Sequence, residues 1–128
     1  IMDRIDLWVT VEHVDFEQLS SKEPNKKPTS PSMRKAVEDA RRKARQRQEE
    51  LKLSAHQNAL LSARDLENIN IDDDARGVLN TSARALALSP RAYHRTIKVA
   101  QTIADLENQQ QISQNHILEA LAYRRRDI

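Results

Sequence analysis

Gly77 is the only glycine in 128 residues. Tight hairpins and bulges draw on glycine because it reaches positive φ without steric cost. A chain with one glycine has few ways to reverse a strand, which argues against a turn-rich β fold. Ala, Leu, Arg, Gln and Glu are abundant instead, and all favour helix. The expected class is mainly α: a compact bundle of about four helices. Hydrophobic residues make up 38% and the aromatics are only Trp8, Phe16, Tyr93 and Tyr123, so the core should be modest and aliphatic.

Charge and cysteine narrow the function classes. With 21 basic and 19 acidic residues the net charge is +2, too balanced to imply nucleic-acid binding by itself. No cysteine is present, so disulfides and thiolate metal sites are excluded. No apolar run approaches the roughly 18 residues of a membrane helix, and no leader pattern is visible. A soluble, cytoplasmic protein with no membrane partner is the expectation. The first residue is Ile1, inside an apolar-looking segment, which reads as a fragment of something larger.

Ile5, Leu7, Val9 and Val11 alternate with Asp6, Trp8, Thr10 and Glu12. That period of two predicts a half-buried strand whose sheet lies in other sequence. Residues 1–12 are thus expected to be a strand fragment ending another domain. Residues 13–30 read as a polar, proline-containing linker. All of residues 1–30 should be poorly ordered in isolation, and 31–126 should form the helical domain.

Ser30-Pro31 predicts the start of a long helix reaching Glu50 or Leu51, with a thin stripe of Met33, Val37, Ala40, Ala44 and Leu51. Seven cations from Arg34 to Arg47 face four carboxylates, giving either a solvated helix laced with ion pairs or a phosphate-contacting surface. Leu53, Leu60 and Leu61 are candidate core anchors. Ser62 should cap a short helix through Leu66. Asp72 to Asp74 place negative charge at the head of another helix, with Ala75, Val78, Leu79, Ser82, Ala83 and Leu86 inward. Ser113 should cap a last helix with Ile117, Leu118, Leu121 and Ala122 inward, closing on Arg124, Arg125 and Arg126.

Between these lies the helix of Leu88–Leu106. Ser89 and Pro90 give it a start signal, and Arg91 follows at the end where a cation opposes the helix dipole. That placement becomes sensible if an anion docks there. Arg91, His94, Arg95, Lys98 and Thr102 share one face; Tyr93, Ile97, Val99, Ala100, Ile103, Ala104 and Leu106 lie on the packed side. Either the basic face is merely solvated, or Arg91, supported by Arg95, grips a phosphate.

Complete catalytic centres are absent from the pattern. A phosphate loop of the GxxxxGK[ST] kind needs two glycines. His13, His56, His94 and His116 are scattered and lack metal-ligand spacing. Asp72–Asp74 are explained by the helix dipole. Alone, the chain is not expected to be an enzyme, to hold a metal or to bind a cofactor.

Residues 88–124, LSPRAYHRTIKVAQTIADLENQQQISQNHILEALAYR, resemble the C-terminal signature of magnesium-chelatase-related AAA+ ATPases, leaning to the bacterial competence-protein (ComM, YifB) branch. Met2-Asp3-Arg4-Ile5-Asp6-Leu7 resembles the LLDRIDL end of the AAA+ core, with Met2 where leucine is commoner. The resemblance implies a helical lid over a nucleotide, Arg91 as the sensor-2 arginine, and Arg4 as the arginine finger offered in trans. It further implies ATP and Mg2+ in the parent protein, a ring of subunits expected to be a hexamer, and a DNA-remodelling motor for branch migration. Walker A, Walker B and sensor-1 elements are not within these residues. The alternatives are a stand-alone helical DNA-binding module using residues 34–47 and 124–126, or the lid of a true magnesium-chelatase subunit acting on a porphyrin.

Overall fold

The computed structural model describes residues 4–12 and 29–124. Five helices appear among them: α1 (Ser30–Glu50), α2 (Ala63–Leu66), α3 (Asp73–Ala85), α4 (Pro90–Leu106) and α5 (Gln114–Ala122), with a 3-10 turn at Asn58–Leu60 ahead of α2. The chain is mainly helical, as its composition predicts.

Each helix head is closed by local chemistry. Thr29, Asp72 and Ser89 accept from backbone amides of the first turns of α1, α3 and α4. Ser62 and Asp65 close a reciprocal capping box on α2. At α5 the amide of Ser113 donates to His116 Nδ1 at 2.9 Å. Three helix tails share one device. Lys52, Ala87 and Asn108 take φ of 54°, 50° and 56° just beyond α1, α3 and α4. Each is followed by the paired bonds of a Schellman motif, as in Leu88 N–H to Ala83 O at 3.0 Å and Ala87 N–H to Arg84 O at 3.3 Å. Left-handed caps usually recruit glycine; here none does.

Helix α4 lies at the centre, packed against α1, α2, α5 and the 3-10 turn, while α3 packs on α5. Leu79, Ala75, Ala100, Ala104, Ile112 and Ile117 are fully buried, and Leu61, Leu66, Ile69, Ile71 and Ile97 complete the core. Ile69, Ile71 and Ile112 come from connections rather than helices. Ile71 and Ile112 form a parallel bridge, with Asp72 N–H to Ile112 O and Ile112 N–H to Asn70 O both at 3.0 Å. That bridge ties the foot of α3 to the foot of α5.

Several inward assignments are corrected. Leu60, Leu86, Leu106 and Leu118 are exposed, whereas His116 and Ala120 of α5 are buried. In α5 the buried stripe is set by what α3 and α4 present, so the face turns by about one residue from the one hydropathy marks. Met33 and Val37 of α1 and Leu51 just beyond it are also exposed, and Ala40, Ala44 and Gln48 form the buried stripe of α1. Residues 5–12 are assigned to neither helix nor strand; the sheet in which Ile5–Val11 is expected to pair belongs to sequence outside these residues. The expectation of poor order over residues 1–30 falls partly on 1–3 and 13–28, and the Arg125–Arg126 end of the basic cluster also lies outside the described residues.

Arg47 holds α1 in place. Its guanidinium makes two bonds to Asp105, at 2.5 and 3.0 Å, and a third to Asn58 at 3.0 Å. Asn58 also accepts from Gln48 at 2.7 Å and donates to Asp105 and Thr102. Asp105 further accepts from Gln101 at 3.1 Å. A bidentate arginine with several shared acceptors is the arrangement in which a buried charge is tolerated.

Candidate functional site

The head of α4 opens onto a concavity of about 530 Å³ lined by Arg4, Asp6, Ala59, Ala63, Arg91, His94, Arg95 and Lys98. Four cations face one carboxylate there. All three arginines singled out from the sequence, Arg4, Arg91 and Arg95, meet at this place although Arg4 lies far from the others in the chain. Arg91 and Arg4 are exposed, and Arg95 is partly buried.

Local structure explains each position. Ser89 Oγ accepts from Ala92 N–H at 3.1 Å, fixing the first turn so that Arg91 stands at its rim. One turn on, Arg95 projects on the same side. Its Nε lies 2.7 Å from Asp6 Oδ1, and its Nη1 donates to the Ile5 carbonyl at 3.3 Å. Lys98, about one further turn along, donates to the carbonyl of Ala59 at 3.2 Å and ties the 3-10 turn to α4. On the opposite face Tyr93 packs against the core and its hydroxyl donates to Asn80 at 2.8 Å. Tyr93 is therefore a packing residue.

Chemically the lining suits an anion. Guanidinium and ammonium groups and a helix N-terminus all favour negative charge. It does not suit a bare divalent cation, because its carboxylate, Asp6, is already held by Arg95. Among the described residues no group of three or more His, Asp or Glu is placed to hold a metal ion. No helix among them is long and apolar enough to cross a membrane.

The basic run of α1 divides. Arg47 is committed to Asp105, and Lys43 donates to the Gln109 carbonyl at 2.7 Å beyond the end of α4. Arg34, Lys35, Arg41, Arg42 and Arg45 are exposed, with Arg42 3.5 Å from Asp39. Asp6 escaped the sequence reading as a site residue because its alternation with apolar neighbours marked it as the outer face of a strand. The one signal that pointed to it was its place in the Asp-Arg-Ile-Asp-Leu segment beside Arg4.

Over 68 residues, 52% of this chain and 13% of the relative, the chain is 46% identical to competence protein ComM of Haemophilus influenzae. Over 125 residues, 96% of this chain and 23% of the relative, it is 35% identical to uncharacterized protein YifB of Salmonella typhimurium. The chain spans less than a quarter of the length of either. Residues 27–124 match the family described as magnesium chelatase, subunit ChlI C-terminal, a span that contains all five helices. The chain belongs to that family.

Proposed function

We propose that this bundle is the helical lid of a ring-forming AAA+ ATPase and that Arg91 and Arg4 form one phosphate-binding edge. The supporting observation is that both arginines line the same concavity at the head of α4. The nucleotide supplies the phosphoryl group; these residues supply charge at fixed positions. Arg91, in the sensor-2 role, places its guanidinium against phosphate oxygens from the rim of the helix. Arg4, in the arginine-finger role, adds a second guanidinium where negative charge develops in phosphoryl transfer. Because the two sit on one concavity, whichever subunit's ATP receives Arg4 receives Arg91 with it. Mg2+ would be held by other parts of the parent protein, since the lining offers it no uncommitted carboxylate.

The same proposal extends to the parent as a DNA-remodelling, recombination-linked motor of the competence branch in the cytoplasm, working as a ring with its own AAA+ core. The exposed cations Arg34, Lys35, Arg41, Arg42 and Arg45 are the surface that would meet the DNA backbone.

In the full-length protein, Arg91→Ala and Arg4→Ala should each lower ATP turnover by about a thousandfold or more, the scale of a lost arginine finger. The double variant should be little worse than either single one, because the two act as a unit. The thermal transition of the bundle should stay in place. Wild-type turnover in either variant would overturn the role assigned to that arginine.

A further inference from the structure

Arg95 shares the concavity with Arg91 and Arg4, but its contacts run to protein. Its Nε meets the Asp6 carboxylate at 2.7 Å and its Nη1 meets the Ile5 carbonyl at 3.3 Å. A third bond fastens the same segment: Trp8 N–H donates to the Tyr123 carbonyl at 2.7 Å, just beyond α5. The aliphatic side chains bury little, Ile5 being 40%, Leu7 50%, Val9 68% and Val11 85% exposed, while Trp8 is partly buried. The Arg95 contacts, the Trp8–Tyr123 bond and the partly buried Trp8 side chain together attach residues 4–12 to the bundle.

We propose that Arg95 is a positioning residue: by clamping residues 5 and 6 against α4, it sets Arg4 beside Arg91. The inference rests on the reading of the concavity as a phosphate site and adds a division of labour within it. A planar fork can hold a carboxylate and a carbonyl at once, which a lysine's point charge does less well. The Arg95 side chain is 18% exposed against 52% for Asp6, so the fork is fixed in the wall while its partner remains near water. Arg4 is bonded directly to Ile5, and its place on the concavity follows from where the clamp holds the next two residues.

The rival role for Arg95 is direct contact with the anion, and the two roles differ in sign. If Arg95 binds the anion, Asp6 competes with it. Asp6→Asn then frees the guanidinium, removes a negative charge and tightens binding. If Arg95 is the clamp, Asp6→Asn releases Arg4 and weakens binding although the site has become more positive.

Inorganic tripolyphosphate is titrated calorimetrically into the 128-residue chain as wild type, Asp6→Asn, Arg95→Asp and the charge-swapped pair Asp6→Arg with Arg95→Asp. Amide exchange at Trp8 is followed in each. Asp6→Asn should weaken binding about two- to fivefold, the scale of a partly exposed ion pair, and speed exchange at Trp8. Arg95→Asp should speed that exchange too, and the swapped pair should restore slow exchange and recover affinity over Arg95→Asp alone. Tighter binding by Asp6→Asn, or unchanged exchange at Trp8 in Arg95→Asp, overturns the clamp. Failure of the wild type to take up tripolyphosphate at low salt overturns the phosphate site instead, and the Trp8 exchange still decides whether Arg95 holds the segment.

Discussion

Glycine and the left-handed backbone are mismatched residue by residue. Gly77 sits in the interior of α3 with helical backbone and nothing within 4 Å of where a Cβ would stand. Ala87, by contrast, carries a φ of 50° at the tail of the same helix. Gly77→Ala should stabilise the bundle by about 1 kcal/mol, because it removes backbone entropy from the unfolded chain and clashes with nothing. Ala87→Gly should add about 0.5–1 kcal/mol by relieving Cβ crowding at positive φ. Urea unfolding midpoints would check both, and a drop for Ala87→Gly would show that its methyl group makes a compensating contact. Arg91 belongs to the same scale: its cap, Ser89, and its conflict with the helix dipole are both visible within four residues. Its meeting with Arg4 is not, because nothing local ties residue 4 to residue 91.

Among the elements, α1 depends on one buried pair. The Arg47 side chain is 16% exposed and that of Asp105 is 2%, whereas Arg42 and Asp39 are 75% and 53% exposed. Arg47→Ala strands a carboxylate in the interior and should cost about 3–5 kcal/mol in chemical denaturation. Arg42→Ala should cost about 0.5 kcal/mol or less. Equal effects would mean that α1 is held by Ala40 and Ala44 alone. This contrast shows where sequence reading succeeds and stops. Helix heads were legible because Ser62, Asp72 and Ser89 act on amides two or three residues away. Charge was not: Arg47 and Arg42 look alike in the sequence, and only a partner 58 residues on separates them. Ile69, Ile71 and Ile112 were missed because single isoleucines among polar residues have no period to read. His116 was passed over because its burial depends on Glu107, 2.7 Å from its Nε2, and on the head of its own helix. At the site, the basic face of α4 was legible from spacing, while the Asp6 contact, lying about 90 residues away in the chain, was not.

For the whole molecule, Asp65 makes one contribution to stability that depends on acid pH. Its carboxylate accepts from the Ser54 hydroxyl, from Ser62 N–H at 2.9 Å and from Ser54 N–H at 3.4 Å. These bonds lower its pKa from 3.8 to about 2, the Ser54 hydroxyl having the largest effect. A depressed folded-state pKa means the unfolded chain binds the proton more readily. The contribution is therefore complete above about pH 4 and disappears as pH falls through about 2. The stability gap between wild type and Asp65→Asn, followed from about pH 5 down to pH 2, should narrow toward the acid end. A gap independent of pH would remove Asp65 from the account.

The bond between Trp8 and Tyr123 has a mechanical meaning as well. It brings the incoming segment and the end of α5 to one spot, so a pull that separates the two loads that bond and the Arg95 contacts before it loads any helix interface. Such contacts peel in sequence, one at a time, whereas the packed faces of α3, α4 and α5 resist together. Tension across this seam would strip Arg4 away from Arg91 with the bundle still intact, so that force could disengage half of the cationic edge without unfolding the domain that carries the other half.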